Sequence, residues 1–223
     1  MARDGSSPRK SAAWLNRVFP FAVLSLMAGL LWGTRPTSLS HNTSSSVEQT
    51  RACLSNLNRI AAAFAQYAGD YDGKFPRGVD AEDRSQPQSW PVLLANGKKG
   101  DARDVPMLQD LLFPYLGERK SWHCPADIGW TENHLPGVPS TLRNVKPSSY
   151  ARYGTSYCYW TRHGMAGWRA VDIDQPASDV VLFDGDAWHQ SGDSASINAL
   201  FADGHVQNLT PQQFGALQQG SIN

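Results

Sequence analysis

A chain of 223 residues has room for one domain and a tail, and with 41% hydrophobic and 18% charged residues it can build a core. Lys and Arg number 20 against 20 Asp and Glu, so there is no basic field to collect nucleic acid, and none is expected as a partner. Three cysteines are too few for a disulfide-rich scaffold, and no C-x-x-C opens a zinc motif.

Residues 18–33 read VFPFAVLSLMAGLLWG, with no charge between Arg17 and Arg35. Arg3, Arg9, Lys10 and Arg17 precede the run, the order of a secretory signal or signal-anchor. No A-x-A-like cleavage site follows, so the expectation is an uncleaved single-pass anchor over 18–34. Residues 1–17 then stay in the cytoplasm, and the rest lies in the periplasm or outside the cell. Residues 35–46, rich in Ser and Thr, read as a polar linker before an extracytoplasmic domain over 47–223.

Ser45-Ser46-Val47-Glu48 fits a capping box and predicts a helix start. Val47, Cys53, Leu54, Leu57, Ile60, Ala61, Phe64, Tyr67 and Ala68 then recur every three or four residues, one apolar stripe. Gly69 is the expected left-handed cap, and Asp70-Tyr71-Asp72-Gly73 a turn. Shorter helices are predicted over 89–97 and over 106–116, the second ended by Gly117. YCYWTR (157–162), DVVLF (179–183), INALF (197–201) and HVQNL (205–209) read as strands. Asp203-Gly204 between the last two predicts a two-residue type I′ hairpin turn. Thr210-Pro211-Gln212-Gln213 predicts a final capped helix. One long helix followed by a small antiparallel sheet is an α+β pattern.

Four stretches resemble a family. CLSNLNRIAAAFAQYAGDYDGKFP (53–76) is similar to the segment after the membrane helix in bacterial pilin-like proteins. These carry a prepilin-type N-terminus and a C-terminal processing-associated domain named for H-x(9)-D-G. LLFPYLGERKSWHCPAD (111–127) resembles that family's Cys-Pro-x-Asp block, and SYARYGTSYCYW (149–160) its Ser-Tyr-Gly strand. NALFADGHV (198–206), with Phe201, Ala202, Asp203, Gly204 and His205, resembles its terminal signature. The resemblance implies a pilin-like fold, a long N-terminal helix packed on a small antiparallel sheet. It further implies a subunit of a type II secretion-like or type IV pilus-like assembly, with copies of itself or other pilin-like subunits as partners. The chain departs from the family twice: no Gly-Phe-Thr-x-x-Glu precedes Val18, and Asp193 stands where the family has its His.

The same resemblance implies a disulfide between Cys53 and Cys124, since a Cys at the helix start and a Cys before Pro-x-Asp recur together there. The alternative is three reduced, buried thiols, and Cys158 is expected to stay free in either case. Asp70/Asp72, Asp172/Asp174 and Asp184/Asp186 each offer hard oxygens suited to calcium, or simply form turns. Major pseudopilins resembling this fold hold a structural calcium in a C-terminal loop, which points to Asp184 and Asp186. His123, Cys124, Cys158 and His163 match no tetrahedral zinc spacing. No G-x-S-x-G occurs and the histidines have no identifiable partners, so no enzymatic activity is expected. Trp90, Trp122, Trp130, Trp160, Trp168 and Trp188 serve either as packing or as a stacking surface for polysaccharide. The second use would make the chain a solitary anchored, adhesive module.

Overall fold

The computed structural model describes residues 39–220 except 87–91, 94–98, 101, 133–134 and 139. The expected cytoplasmic segment and membrane anchor lie outside these residues. Among the described residues no helix is long and apolar enough to cross a membrane.

Helix α1 spans Leu39–Asp70. It therefore begins inside the segment read as a linker, six residues before the expected capping box. Ser45 and Ser46 are interior positions, where the Ser46 carbonyl accepts from Thr50 Oγ1 at 2.9 Å. Serine and threonine are weak helix formers but not breakers, so the helix continues through them. From Cys53 onward the stripe behaves as read: Cys53, Leu57, Ile60, Phe64 and Tyr67 are buried. Val47 is a correction, since it is exposed. Gly69 is not the cap. The chain turns at Asp72 and Gly73, with φ of 55° and 80°, and Gly73 N–H donates to the Ala68 carbonyl at 2.7 Å.

Short elements follow. Helix α2 (Ala81–Ser85) is capped by Asp80, whose carboxylate accepts from Asp83 N–H. The predicted helix over 89–97 is not found where it can be seen: Val92–Leu93 is strand β1, paired antiparallel with β2 (Lys99–Gly100). Pro91 cannot donate into a helix, and β-branched Val92 suits a strand. The other expected helix is two short ones, α3 (Leu108–Leu111) and α4 (Phe113–Leu116), divided at Leu112 because Pro114 lacks a donor. Gly117 ends α4 in the left-handed region, as read.

The Ser-Tyr-Gly stretch opens with helix α5 (Ser149–Tyr153), capped by Gly154, before strand β3 (Tyr157–Tyr159) and helix α6 (Arg162–Ala166). Strands β4 (Val180–Asp184), β5 (His189–Ser191), β6 (Ser194–Phe201) and β7 (Val206–Leu209) and helix α7 (Pro211–Gly220) complete the chain. The sheet order is β3-β4-β6-β5, with β7 also on β6, and every pair is antiparallel. The fold is thus α+β.

Each face of the sheet has its own core. On the α1 side lie Leu57, Ile60, Leu112, Trp122, Val181, Leu182 and Leu200. On the α7 side lie Val180, Phe183, Ile197, Phe201 and Phe214. Val181 and Leu182 both reach the α1 side because the β4–β6 register shifts between Val180 and Leu182. Burial on both faces explains why β4 is apolar from Val180 to Phe183 rather than alternating, with only Asp184 polar at its end.

The final hairpin is where it was expected, but its turn is not type I′. Gly204 N–H donates to the Phe201 carbonyl at 2.9 Å and Phe201 N–H to the His205 carbonyl at 2.9 Å. Gly204 alone of the loop has positive φ, at 92°. This is a three-residue loop with a glycine bulge. Ala202 N–H and Asp203 N–H are engaged by the Asp179 and Pro176 carbonyls, which fixes both residues in place. The last helix begins as read: Gln213 N–H donates to Thr210 Oγ1 at 3.3 Å and Thr210 N–H to Gln213 Oε1 at 2.8 Å.

Candidate functional site

The expected disulfide is present: Cys53 and Cys124 are bonded, with Cα atoms 5.1 Å apart. Cys53 comes from the buried face of α1. Cys124 follows a single 3-10 turn, Lys120–Trp122, that drives Trp122 into the core. Two contacts bind the two segments around the bond, and a third ties Cys124 to Ser156 ahead of β3. Asn56 Nδ2 donates to the His123 carbonyl at 2.8 Å, Gln49 Nε2 to the Pro125 carbonyl at 3.4 Å, and Cys124 N–H to Ser156 Oγ at 3.0 Å.

Asp127 organises the ground beneath. Its carboxylate accepts from Gly129, Ser149 and Tyr150 N–H and from Ser156 Oγ, at 2.7–3.0 Å. The Cys-Pro-x-Asp block is therefore a structural unit, in which the Asp gathers the next loop and Ser156 hands its order back to Cys124.

Two further side chains converge on the disulfide. β4 ends in Asp184 and β5 opens with His189, both buried. His189 Nε2 lies 3.2 Å from Cys124 Sγ and 3.4 Å from Asp184 Oδ2, and its Nδ1 lies 3.2 Å from Thr50 Oγ1. Asp184 Oδ2 accepts Asn198 N–H at 2.6 Å. Burial pushes the Asp184 carboxyl well above the usual carboxylate range and pushes His189 down to about 4. Both effects are desolvation of the charged form.

The other sequence candidates fall elsewhere. Asp186 is held by Ala187 N–H at 2.8 Å and is not gathered with Asp184 around the sulfurs. Asp70 accepts from Tyr115 Oη, and Asp172 is bound by Arg169. His163 is buried against Asp179 at 2.8 Å, His123 is exposed, and Cys158 is a free, half-buried thiol in β3. Asp193 lies exposed in the β5–β6 turn. Asp203 Oδ1 accepts from His205 N–H at 3.0 Å, and His205 Nδ1 lies 2.6 Å from it. Asp203, Gly204 and His205 of the terminal signature are thus turn-forming residues.

His189 lies four residues before Asp193, the position of the family histidine, and was not singled out from the sequence. The available signal was a charged residue closing one wholly apolar strand and a histidine opening the next, positions where a polar side chain is carried into the core.

Trp122 and Trp130 are buried, Trp160 and Trp188 half-buried, and Trp168 is 40% exposed. Trp90 lies outside the described residues. A cavity of about 210 Å³ is lined by Asp80, Asp83, Trp130, Tyr159, Trp160 and Phe183 among others. Burial first, and then the Asp83 carboxylate, push Asp80 up to about 7, and burial pushes Asp83 up to about 6.

No protein-family model, curated protein or solved structure matches the chain. The chain is an α+β protein whose long helix is joined covalently to the loop system beside its sheet.

Proposed function

We propose that the chain is a non-enzymatic, pilin-like envelope protein, a structural subunit of a type II secretion-like or type IV pilus-like assembly. One observation carries this reading: the 32-residue helix α1 lies along an antiparallel sheet and is tied by Cys53–Cys124 to the loop beside it. Such a disulfide persists in an oxidising compartment, in agreement with the basic-then-apolar run at the N-terminus. The sequence resemblance supplies the family, and the helix-on-sheet arrangement agrees with it. The test has two arms. A phosphatase active only outside the cytoplasm, fused after Asn223, is expected to be active, and an inactive fusion overturns the envelope placement. Shearing intact cells is expected to release polymers containing the chain. Recovery solely as a membrane-bound monomer overturns the subunit reading.

That second outcome would favour a solitary anchored polysaccharide binder. The exposed Trp168 supports it, standing beside an open cleft of about 530 Å³ with Arg162, Asp172, Asp174 and Gln175. Binding to cell-wall polysaccharide that Trp168→Ala abolishes is its signature.

A further inference from the structure

The disulfide does not sit among hydrocarbon alone. One ligand-capable atom from each of Cys53, Cys124, Asp184 and His189 lies within 4.8 Å of the other three. Three of these residues are 0% exposed and His189 is 3% exposed. A structural cross-link needs neither a carboxylate nor an imidazole beside it, and burying either costs free energy unless its bonds are met. Here they are not all met. Among the described residues Asp184 Oδ1 has no hydrogen-bond partner. His189 Nε2 faces only a disulfide sulfur and a carboxylate oxygen.

We propose that, once the Cys53–Cys124 disulfide is reduced, the two thiolates, Asp184 and His189 form a tetrahedral site for Zn²⁺ or a similar borderline divalent metal. The cysteines thus have two alternative closures, a covalent bond and a shared ion. Two sulfurs, one imidazole nitrogen and one carboxylate oxygen suit zinc, whereas calcium takes six or more oxygens. The two thiolates alone balance the +2 ion that this interior would otherwise exclude, and the Asp184 carboxylate brings the site to a net −1.

Geometry agrees. Zinc with Zn–S of about 2.3 Å and Zn–N or Zn–O of about 2.0–2.2 Å places its ligands roughly 3.3–3.8 Å from one another. His189 Nε2 already stands 3.2 Å from Cys124 Sγ and 3.4 Å from Asp184 Oδ2. The two sulfurs must part, and any other pair of the four atoms standing beyond about 3.8 Å must close, from a starting spread of no more than 4.8 Å. Supporting contacts are in place: Thr50 Oγ1 meets His189 Nδ1 at 3.2 Å, leaving Nε2 for the metal, and Asn198 N–H fixes Asp184.

The chemistry balances with a dithiol as reductant. The dithiol delivers two electrons and two protons to the disulfide, giving two thiols, and becomes a disulfide itself. Zn²⁺ then displaces both thiol protons, and also that of Asp184 where it is protonated. This inference stands apart from the pilin-like reading and does not depend on it.

Co²⁺ is the probe. The full chain is reduced with a phosphine, which leaves as its oxide, then desalted without air and titrated. One equivalent of Co²⁺ is expected to give thiolate-to-metal charge transfer and the intense d–d bands of a tetrahedral site, and Zn²⁺ to bleach them. The oxidised chain is expected to give neither. His189→Ala and Asp184→Asn, each first shown to be folded when oxidised, are expected to weaken binding at least tenfold. Absence of these bands in the reduced wild type overturns the proposal, as does affinity unchanged in both variants. Should reduction unfold the chain, recovery of its circular dichroism with one equivalent of Zn²⁺ supports the site, and failure to recover overturns it.

Discussion

Replacing both Cys53 and Cys124 by Ala removes a cross-link between residues 71 positions apart. The loop-closure entropy restored to the unfolded chain is about 15 cal/mol/K for a loop of this length, or about 4.4 kcal/mol at 25 °C. Both sulfurs are fully buried, so lost packing adds on the order of 1 kcal/mol. Against a typical total of roughly 5–15 kcal/mol, this loss is a third of the stability or more, and the Tm is expected to fall by about 10–20 °C. Guanidinium unfolding of both proteins, with chelator present to keep the reduced site empty, measures the difference. The slope m should rise in the variant, because an uncrosslinked chain exposes more surface on unfolding. A loss under about 1 kcal/mol with unchanged m would refute the argument, since the bond would then not be restricting the unfolded state.

Three other outcomes follow from named contacts. Asp127→Ala strands three backbone donors and the Ser156 hydroxyl, and should cost about 3–5 kcal/mol in chemical denaturation; Asp127→Asn should recover part of that. Gly204→Val puts a β-branched residue at φ 92° with nothing within 4 Å of the new Cβ, so the loss, about 1–3 kcal/mol, is purely conformational. An unchanged midpoint would mean the turn is not held in that conformation. Asp80 titrates near 7 in the fold against 3.8 in the free chain, so the fold favours its protonated form. Its contribution is present below about pH 4 and is lost as pH rises towards 7. Asp80→Asn should therefore gain on the wild type between those limits, by on the order of 2 kcal/mol, and parallel stability curves would count against the shift.

Strands β3, β4, β6 and β7 were legible from runs rich in β-branched and aromatic residues bounded by turn residues, whereas β5 (His189–Ser191), short and polar, was not; α7 was legible because Thr210, Pro211 and Gln213 each state their position. The stripe of α1 was legible from Cys53 onward. Its beginning was not, because a capping box is a local preference that a helix already under way overrides. The type of the last turn was hidden for a related reason: the carbonyls of Asp179 and Pro176, far upstream in the sequence, hold the backbone of Ala202 and Asp203. The cysteine pair came from resemblance rather than spacing. What surrounds it could not be read locally, since Asp184 and His189 acquire their meaning only when β4 and β5 are set against Thr50 and Cys53 of α1.

The placement of Cys53 also decides how the fold bears load. The bond enters α1 fourteen residues after its first, with seventeen still to come. Tension applied at Leu39 along the helix axis meets non-covalent resistance only as far as Cys53. Beyond it the pull passes into Cys124 and the Asp127 network, and the contacts of Leu57, Ile60, Phe64 and Tyr67 are spared. Pulled from that end, the domain should yield in two stages, a short peel at low force and then a plateau set by the sheet, with the first stage lengthening only when the sulfurs are reduced.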